Sequence, residues 1–252
     1  MSGTLFIVAT PIGNLEDISS RALQILKEVD LILAEDTRVT KKLLDHYQIK
    51  TPVLAYHQRS SPNTKYSILN TLLQSKKVAL VTDAGTPGIS DPGNELIDFL
   101  YQHSAVSSSL LRGPSAASRE AADSPRVAVI PIPGPSALTA ALSVCGFDVS
   151  RLAFFGFLPK KKRTKVFTQM RDFGASTAFF ESPYRIGKTV DDLANFFGAD
   201  KRVFIGQELT KMHERTFRGT LAEVKTRLEK EKSYLGRIKG EVVVILEGKR
   251  VH

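Results

Sequence analysis

Val81-Thr82-Asp83-Ala84-Gly85-Thr86-Pro87-Gly88-Ile89-Ser90-Asp91-Pro92-Gly93 is the stretch whose reading decides the fold. Its apolar lead-in, Lys77-Val78-Ala79-Leu80-Val81, reads as a short strand, and the eleven residues from Asp83 to Gly93 hold three Gly, two Pro and two Asp. Glycine lets backbone N–H groups come close to a ligand, and proline fixes φ and lowers the entropy lost on ordering. Loops of this kind grip small polar ligands at the carboxyl ends of strands in α/β sheets. A Gly/Pro loop also serves as a plain tight turn, but this one is longer and more patterned than a turn requires.

Two further loops share the character. The strand Thr4–Ala9 runs into Thr10-Pro11-Ile12-Gly13-Asn14-Leu15, ahead of a helix with Ile18, Ala22, Ile25, Leu26 and Val29 at helical spacing and Asp17 or Ser19 as its cap. This loop has neither the dinucleotide nor the P-loop fingerprint. Later, the strand Val127–Pro131 leads to Pro133-Gly134-Pro135-Ser136-Ala137, which opens a helix continuing to Leu142. Proline near a helix start, with N–H groups of the first turn available, makes a cradle for a polar ligand. Three such loops at the strand ends of one sheet point to a site.

Between them, strands alternate with helices. Leu31–Ala34 is a strand ending in Glu35-Asp36-Thr37-Arg38, before a helix with Leu43 and Leu44 on its apolar face. Two acids and an arginine at a strand's carboxyl end either supply chemistry or cap the helix. Val53–Tyr56 is a third strand, and Ile68, Leu69, Leu72 and Leu73 mark the helix leading to the central loop. This alternation predicts a mostly parallel sheet with helices on both faces. After a helix at Asn94–Tyr101, Ser104–Arg126 is rich in Ser, Ala, Pro and Arg and reads as a flexible excursion. Its Arg112-Gly113-Pro114-Ser115-Ala116 echoes Pro133–Ala137 without any fixed-period repeat.

The remaining chain predicts a second α/β domain, with boundaries at 1–133 and 134–252. It holds the aromatic strand Leu152–Pro159, the basic block Lys160-Lys161-Lys162-Arg163-Thr164-Lys165 and the strand Thr177–Phe180, which ends in Glu181-Ser182-Pro183-Tyr184-Arg185. A helix with Val190, Leu193, Phe196 and Phe197 follows, then the strand Val203–Glu208, a helix of Leu221, Val224 and Leu228, and the strand Glu241–Leu246.

Charge separates the two parts. Residues 1–150 carry 13 Lys/Arg against 14 Asp/Glu, whereas residues 151–252 carry 22 against 12, so the whole net charge of +9 resides in the second part. A one-sided positive field suits a polyanion, because neutralised phosphates release counterions. The bland alternative is a solvated face that serves solubility. With 42% hydrophobic and 24% charged residues the chain reads as a soluble globular protein, without a membrane-spanning run or an export signal, and is expected in the cytoplasm. The single cysteine, Cys145, sits in apolar surroundings and reads as a buried, inert thiol. The five histidines are scattered, so no metal site is expected.

Seven motifs, in order, resemble the small-subunit ribosomal RNA methyltransferases of the tetrapyrrole methylase superfamily. They are ATPIGNLED (Ala9–Asp17), AEDTR (Ala34–Arg38), DAGTPGISDPG (Asp83–Gly93), PGPSALTAAL (Pro133–Leu142), FFGFLP (Phe154–Pro159), FFESPYR (Phe179–Arg185) and ELTKMHE (Glu208–Glu214). The resemblance covers almost the whole chain. It implies two α/β domains, a homodimer, S-adenosylmethionine in the cleft between the domains, and methylation of the ribose 2′-oxygen of a cytidine in the decoding region of small-subunit ribosomal RNA. Carried over residue by residue, it implies cofactor contacts at Pro11, Ala84, Gly85, Thr86, Ile89, Ser136 and Ala137. The family passes from DPG to PGP in a short helix-strand step, whereas this chain spends the 39 residues Asn94–Ile132 there, so Ser104–Arg126 is an excess beside the expected site.

Methyl transfer from a sulfonium is an in-line displacement that depends above all on positioning. A ribose hydroxyl is weakly acidic, so a base, or a cation facing the developing alkoxide, assists. The expected proton acceptor is Asp36 or Glu181, with Arg38 or Arg185 orienting a phosphate or the hydroxyl. Lys160, Lys161, Lys162 and Arg163 are expected to hold RNA through its phosphates, with free RNA or the assembled small subunit as partner. The rival functions are methylation of a tetrapyrrole or another small molecule, and RNA binding without catalysis. Relatives of the first kind open with a GPGDP-type loop where this chain has Thr10-Pro11-Ile12-Gly13-Asn14.

Overall fold

The computed structural model describes residues 3–107, 126–235 and 240–249. The chain divides into two compact units, Met1–Ser136 and Ala137–His252.

The first unit is built on a six-stranded, wholly parallel sheet. Its strands are β1 (Gly3–Val8), β2 (Leu31–Ala34), β3 (Val53–Ala55), β4 (Lys77–Val81), β5 (Ala105–Ser107) and β6 (Arg126–Ile132), in the order β3-β2-β4-β1-β6-β5. The helices are α1 (Ser20–Glu28), α2 (Thr37–His46), α3 (Pro62–Leu73) and α4 (Asn94–His103). Alternate side chains of β1 explain why its sequence is an unbroken apolar run. Phe6 and Val8 pack with Ala22 and Leu26 of α1 and Leu43 and Leu44 of α2 on one face. Leu5 and Ile7 pack with Ile68, Leu69 and Leu72 of α3 and Leu96 and Leu100 of α4 on the other. A parallel sheet buried on both faces has no polar side to alternate with.

Helix starts follow local chemistry. Ser19 Oγ accepts the Ala22 N–H at 3.1 Å to start α1, and Ser61 Oγ accepts that of Thr64, with Pro62 in the first turn of α3. The chain leaves β1 toward β2 and leaves β4 toward β5, in opposite directions across the sheet, so neighbouring β1 and β4 form its topological switch point. Crevices at such points hold ligands in open α/β sheets.

The expectation of a flexible excursion from Ser104 is corrected at its start. Ala105–Ser107 forms the edge strand β5, parallel to β6, with Val106 opposite Val127. Its three residues pair with Arg126–Ala128 at the start of β6. Residues 108–125, including Arg112–Ala116, lie outside the described residues.

The second unit has a mixed five-stranded sheet. The strands are β7 (Leu152–Phe157), β8 (Ser176–Glu181), β9 (Arg202–Gln207), β10 (Arg215–Thr220) and β11 (Val242–Leu246), in the order β10-β9-β11-β8-β7. Only β7 and β8 pair in parallel. The helices are α5 (Ala137–Val144), α6 (Arg163–Phe173), α7 (Ile186–Phe197) and α8 (Leu221–Leu235). One face is covered by Phe167 and Met170 of α6, Val190 and Leu193 of α7, and Leu221, Val224 and Leu228 of α8, packed on Phe179, Ile205 and Val244. Two elements were not foreseen: α6, whose basic start masks its apolar positions, and β10, whose Arg215-Thr216-Phe217-Arg218-Gly219-Thr220 buries only Phe217 deeply. Cys145 is buried.

Candidate functional site

The three Gly/Pro loops of the first unit are bonded to one another at the switch point. Thr10 N–H donates to Gly85 O at 2.9 Å and Gly85 N–H donates to Thr10 O at 3.0 Å. Thr10 Oγ1 donates to Thr82 O at 3.1 Å. The central loop meets the third loop where Thr86 Oγ1 donates to Pro135 O at 3.1 Å, and Ala9 N–H reaches Ile132 O at 3.3 Å. Gly85 has φ +87°, a conformation L side chains rarely adopt, and a Cβ there would sit 3.5 Å from Ile12 Cγ2. Pro11, Ala84 and Thr86 are half-buried around this junction, while Ile89 is 41% exposed. Ser136 and Ala137 follow in sequence, at the point where the chain passes from the first unit to the second.

Beside the central loop, the ends of β2 and β4 carry carboxylates tied through their backbones. Asp36 N–H donates to Asp83 Oδ1 at 3.0 Å. Asp36 also caps α2, accepting the Arg38 N–H at 2.8 Å, and its carboxylate receives the Arg38 guanidinium at 3.0 and 2.6 Å. These hydrogen bonds from Arg38 hold the Asp36 carboxyl at about 2, and of the two readings of the sequence, chemistry or a helix cap, the cap is the one the geometry shows. Burial pushes the carboxyls of Glu35 and Asp83 up, and the neighbouring charges, Asp83 on Glu35 and Asp36 on Asp83, act in the same direction. Glu35 and Asp83 were missed as titrating groups. Their signal was an acid within two residues of the end of a buried strand in each of two motifs.

In the second unit, Glu181 lies 1% exposed at the end of β8. Its Oε2 accepts from Arg163 at 3.0 Å and from Thr189 Oγ1 at 2.7 Å, and its Oε1 pairs with Arg185 at 2.5 Å and accepts the Ser182 N–H at 2.7 Å. Arg163 further reaches Asp192 at 3.2 Å and Pro159 O at 3.1 Å. Both carboxylate oxygens of Glu181 are thus engaged, and Arg163 is turned inward with a side chain only 10% exposed. Lys160, Lys161 and Lys162 remain exposed. With Arg185 and Lys188 they line a groove of about 580 Å³ along α6 and α7. Lys188 was missed, although Arg185, Lys188 and Asp192 fall three and four residues apart on one helix face.

Among the described residues no group of three His, Cys, Asp or Glu side chains could hold a metal ion, and no helix is long and apolar enough to cross a membrane.

The model of the family described as Tetrapyrrole (Corrin/Porphyrin) Methylases matches residues 4–125 and 112–225. The chain belongs to the tetrapyrrole methylase family. It is 43% identical over 248 residues to the Thermotoga maritima protein named Ribosomal RNA small subunit methyltransferase I, covering 98% of this chain and 99% of that one. Two solved structures share the fold at TM-score 0.63. One is cobalt precorrin-4 methyltransferase, a cobalamin biosynthetic enzyme, 17% identical over 96% of this chain and 94% of its own. The other is diphthine synthase, 16% identical over 99% of this chain and 91% of its own. The same fold is thus shared by differently named proteins, so the fold by itself does not fix the substrate.

Proposed function

We propose that this protein is a methyltransferase that uses S-adenosylmethionine to methylate the ribose 2′-oxygen of a cytidine in the decoding region of small-subunit ribosomal RNA. The observation that carries the reading is the 43% identity, over essentially full length on both sides, to a protein named for that class of activity. The concentration of positive charge in residues 151–252 supports a polyanionic substrate over a small one.

The residues at the switch point fit the cofactor. Gly85, at φ +87°, lets the loop backbone turn beside Thr10 without a side chain, and the carboxylates of Glu35 and Asp36 supply the sign of charge that a sulfonium attracts. In this proposal Pro11, Ala84, Gly85, Thr86, Ile89, Ser136 and Ala137 hold it. When bound, S-adenosylmethionine supplies an electrophilic methyl group. The protein then has to align the hydroxyl and accept its proton. A carboxyl held at about 2 is a weak base, so we assign the Asp36–Arg38 pair to orienting the acceptor strand and the proton to Glu35, whose carboxyl burial pushes up. Glu181 and Arg185 shape the basic groove from its buried side, and Lys160, Lys161 and Lys162 contact phosphates.

A homodimer working in the cytoplasm completes the proposal, and light scattering tests its mass. The decisive experiment incubates methyl-labelled cofactor with undermodified small subunits and maps ribose methylation. Label at a single cytidine ribose is expected, and absence of label from ribosomal RNA overturns the reading.

A further inference from the structure

A second, smaller cavity of about 200 Å³ opens at the carboxyl ends of β1 and β4, over the start of α2. It is below the roughly 300 Å³ at which pockets begin to enclose a whole drug-sized ligand, so it suits one ring system. Pro11, a proposed cofactor contact, lies on its wall, which puts an occupant beside the donor. Leu15 and Val39 line it and remain 38% and 39% exposed, two apolar surfaces on which a flat ring can rest. Tyr47 Oη donates to Leu15 O at 2.6 Å and fixes that wall.

The polar part is specific. Thr82 lines the cavity at 2% exposure, and its hydroxyl makes no hydrogen bond among the described residues. A buried hydroxyl without a partner is costly, and a ligand offering one relieves that cost. Asp83 contributes a carboxylate, one oxygen of which is steadied by the Asp36 N–H, and Lys42 stands exposed at the rim. The wall thus presents an acceptor, a hydroxyl and a cationic donor.

We infer that this cavity receives the base of the acceptor nucleotide and selects cytosine, with Asp83 accepting from the exocyclic amino group, Thr82 donating to the ring nitrogen and Lys42 facing the carbonyl. This rests on the RNA-methyltransferase reading. Carboxylates recognise the cytosine amino group in the same way elsewhere. Uracil would set a carbonyl oxygen against the Asp83 carboxylate. The base must be splayed out of its stack, as enzymes acting on single nucleotides require.

The test uses small subunits reconstituted with either cytidine or uridine at the mapped acceptor position. Wild-type protein is expected to favour cytidine by about tenfold to a hundredfold in kcat/KM, the range of one good base contact. Asp83→Asn should bring that ratio to within about threefold of unity and Thr82→Val should lower it severalfold, both with unchanged cofactor affinity by calorimetry, whereas Lys42→Ala, facing a carbonyl common to both bases, should raise KM for the subunit and keep the ratio. Should Asp83→Asn fail to fold, Thr82→Val carries the test of the ratio. Retention of the wild-type ratio by folded Asp83→Asn or Thr82→Val overturns the inference, as does a loss confined to cofactor affinity, which would give the cavity to the cofactor. If wild-type protein labels neither RNA, the methyltransferase reading fails first, a result distinct from either of these.

Discussion

Thr10 and Gly85 exchange backbone hydrogen bonds in both directions, at 2.9 and 3.0 Å, and so join the loops that follow β1 and β4. The pair stands at the switch point of the sheet, where chain connections diverge and a crevice must open. Gly85 makes it with φ +87°. Gly85→Ala should therefore cost about 1–2 kcal/mol of stability from left-handed backbone alone. Urea denaturation reads the stability, and calorimetry should read a larger loss of affinity for S-adenosylmethionine than any seen with a surface Gly→Ala control such as Gly187→Ala.

Asp36 gives an acid-limb prediction. Its carboxyl is held at about 2 against an ordinary 3.8, because the Arg38 side chain and N–H bond the charged form. A depressed carboxyl contributes stability that is fully present above 3.8 and is lost as pH falls through about 2. Thermal unfolding followed across that window should show wild type losing a component that Asp36→Asn lacks. Parallel curves for the two proteins would remove the Arg38 pair as its source.

Glu35 has the opposite sign. Burial raises its carboxyl above the ordinary 4.5, so the ionised form opposes folding at neutral pH, and the penalty disappears as pH falls below 4.5. Glu35→Gln should melt higher than wild type at neutral pH, with the gap closing in acid. The same variant should lose on the order of a hundredfold or more in kcat if Glu35 accepts the proton. A stabilised variant with full kcat would return the group to a structural role.

The basic run should split into two classes. Replacing Lys160, Lys161 and Lys162 together by alanine should weaken RNA binding and flatten its salt dependence, by about 0.7 in log–log slope for each single-strand phosphate that is no longer neutralised, with little change in stability. Arg163→Ala breaks a buried pair with Glu181, and its cost should be about 3–5 kcal/mol of folding stability. Denaturation and salt titration on the same proteins separate the two effects.

Tyr56 is 1% exposed, and its hydroxyl makes no hydrogen bond among the described residues; burial pushes it up to about 12. Tyr56→Phe removes a buried polar atom without opening a cavity. A gain of about 1 kcal/mol is expected, and a loss in chemical denaturation would show that the hydroxyl has a partner.

The amino-acid order alone determined the alternation of β1 to β4 with their helices, because strands buried on both faces must be continuously apolar and the loops between them must carry Gly, Pro and caps. It also determined that the positive charge belongs to the second part, since that is a count along the chain. It could not decide what each charge touches. Asp36 and Arg38 were legible as a strand-end pair, and the Asp36 carboxyl is held at about 2 by that local pair, but the neighbouring charges that help to raise the carboxyls of Glu35 and Asp83 meet only where β2 and β4 lie side by side. Arg163 looked like the fourth member of a basic run, yet the turn into α6 aims it at Glu181, eighteen residues away. Pairing across the fold depends on which strands become neighbours, and burial then fixes the strength and sign of each charge. Only the tertiary structure holds that information.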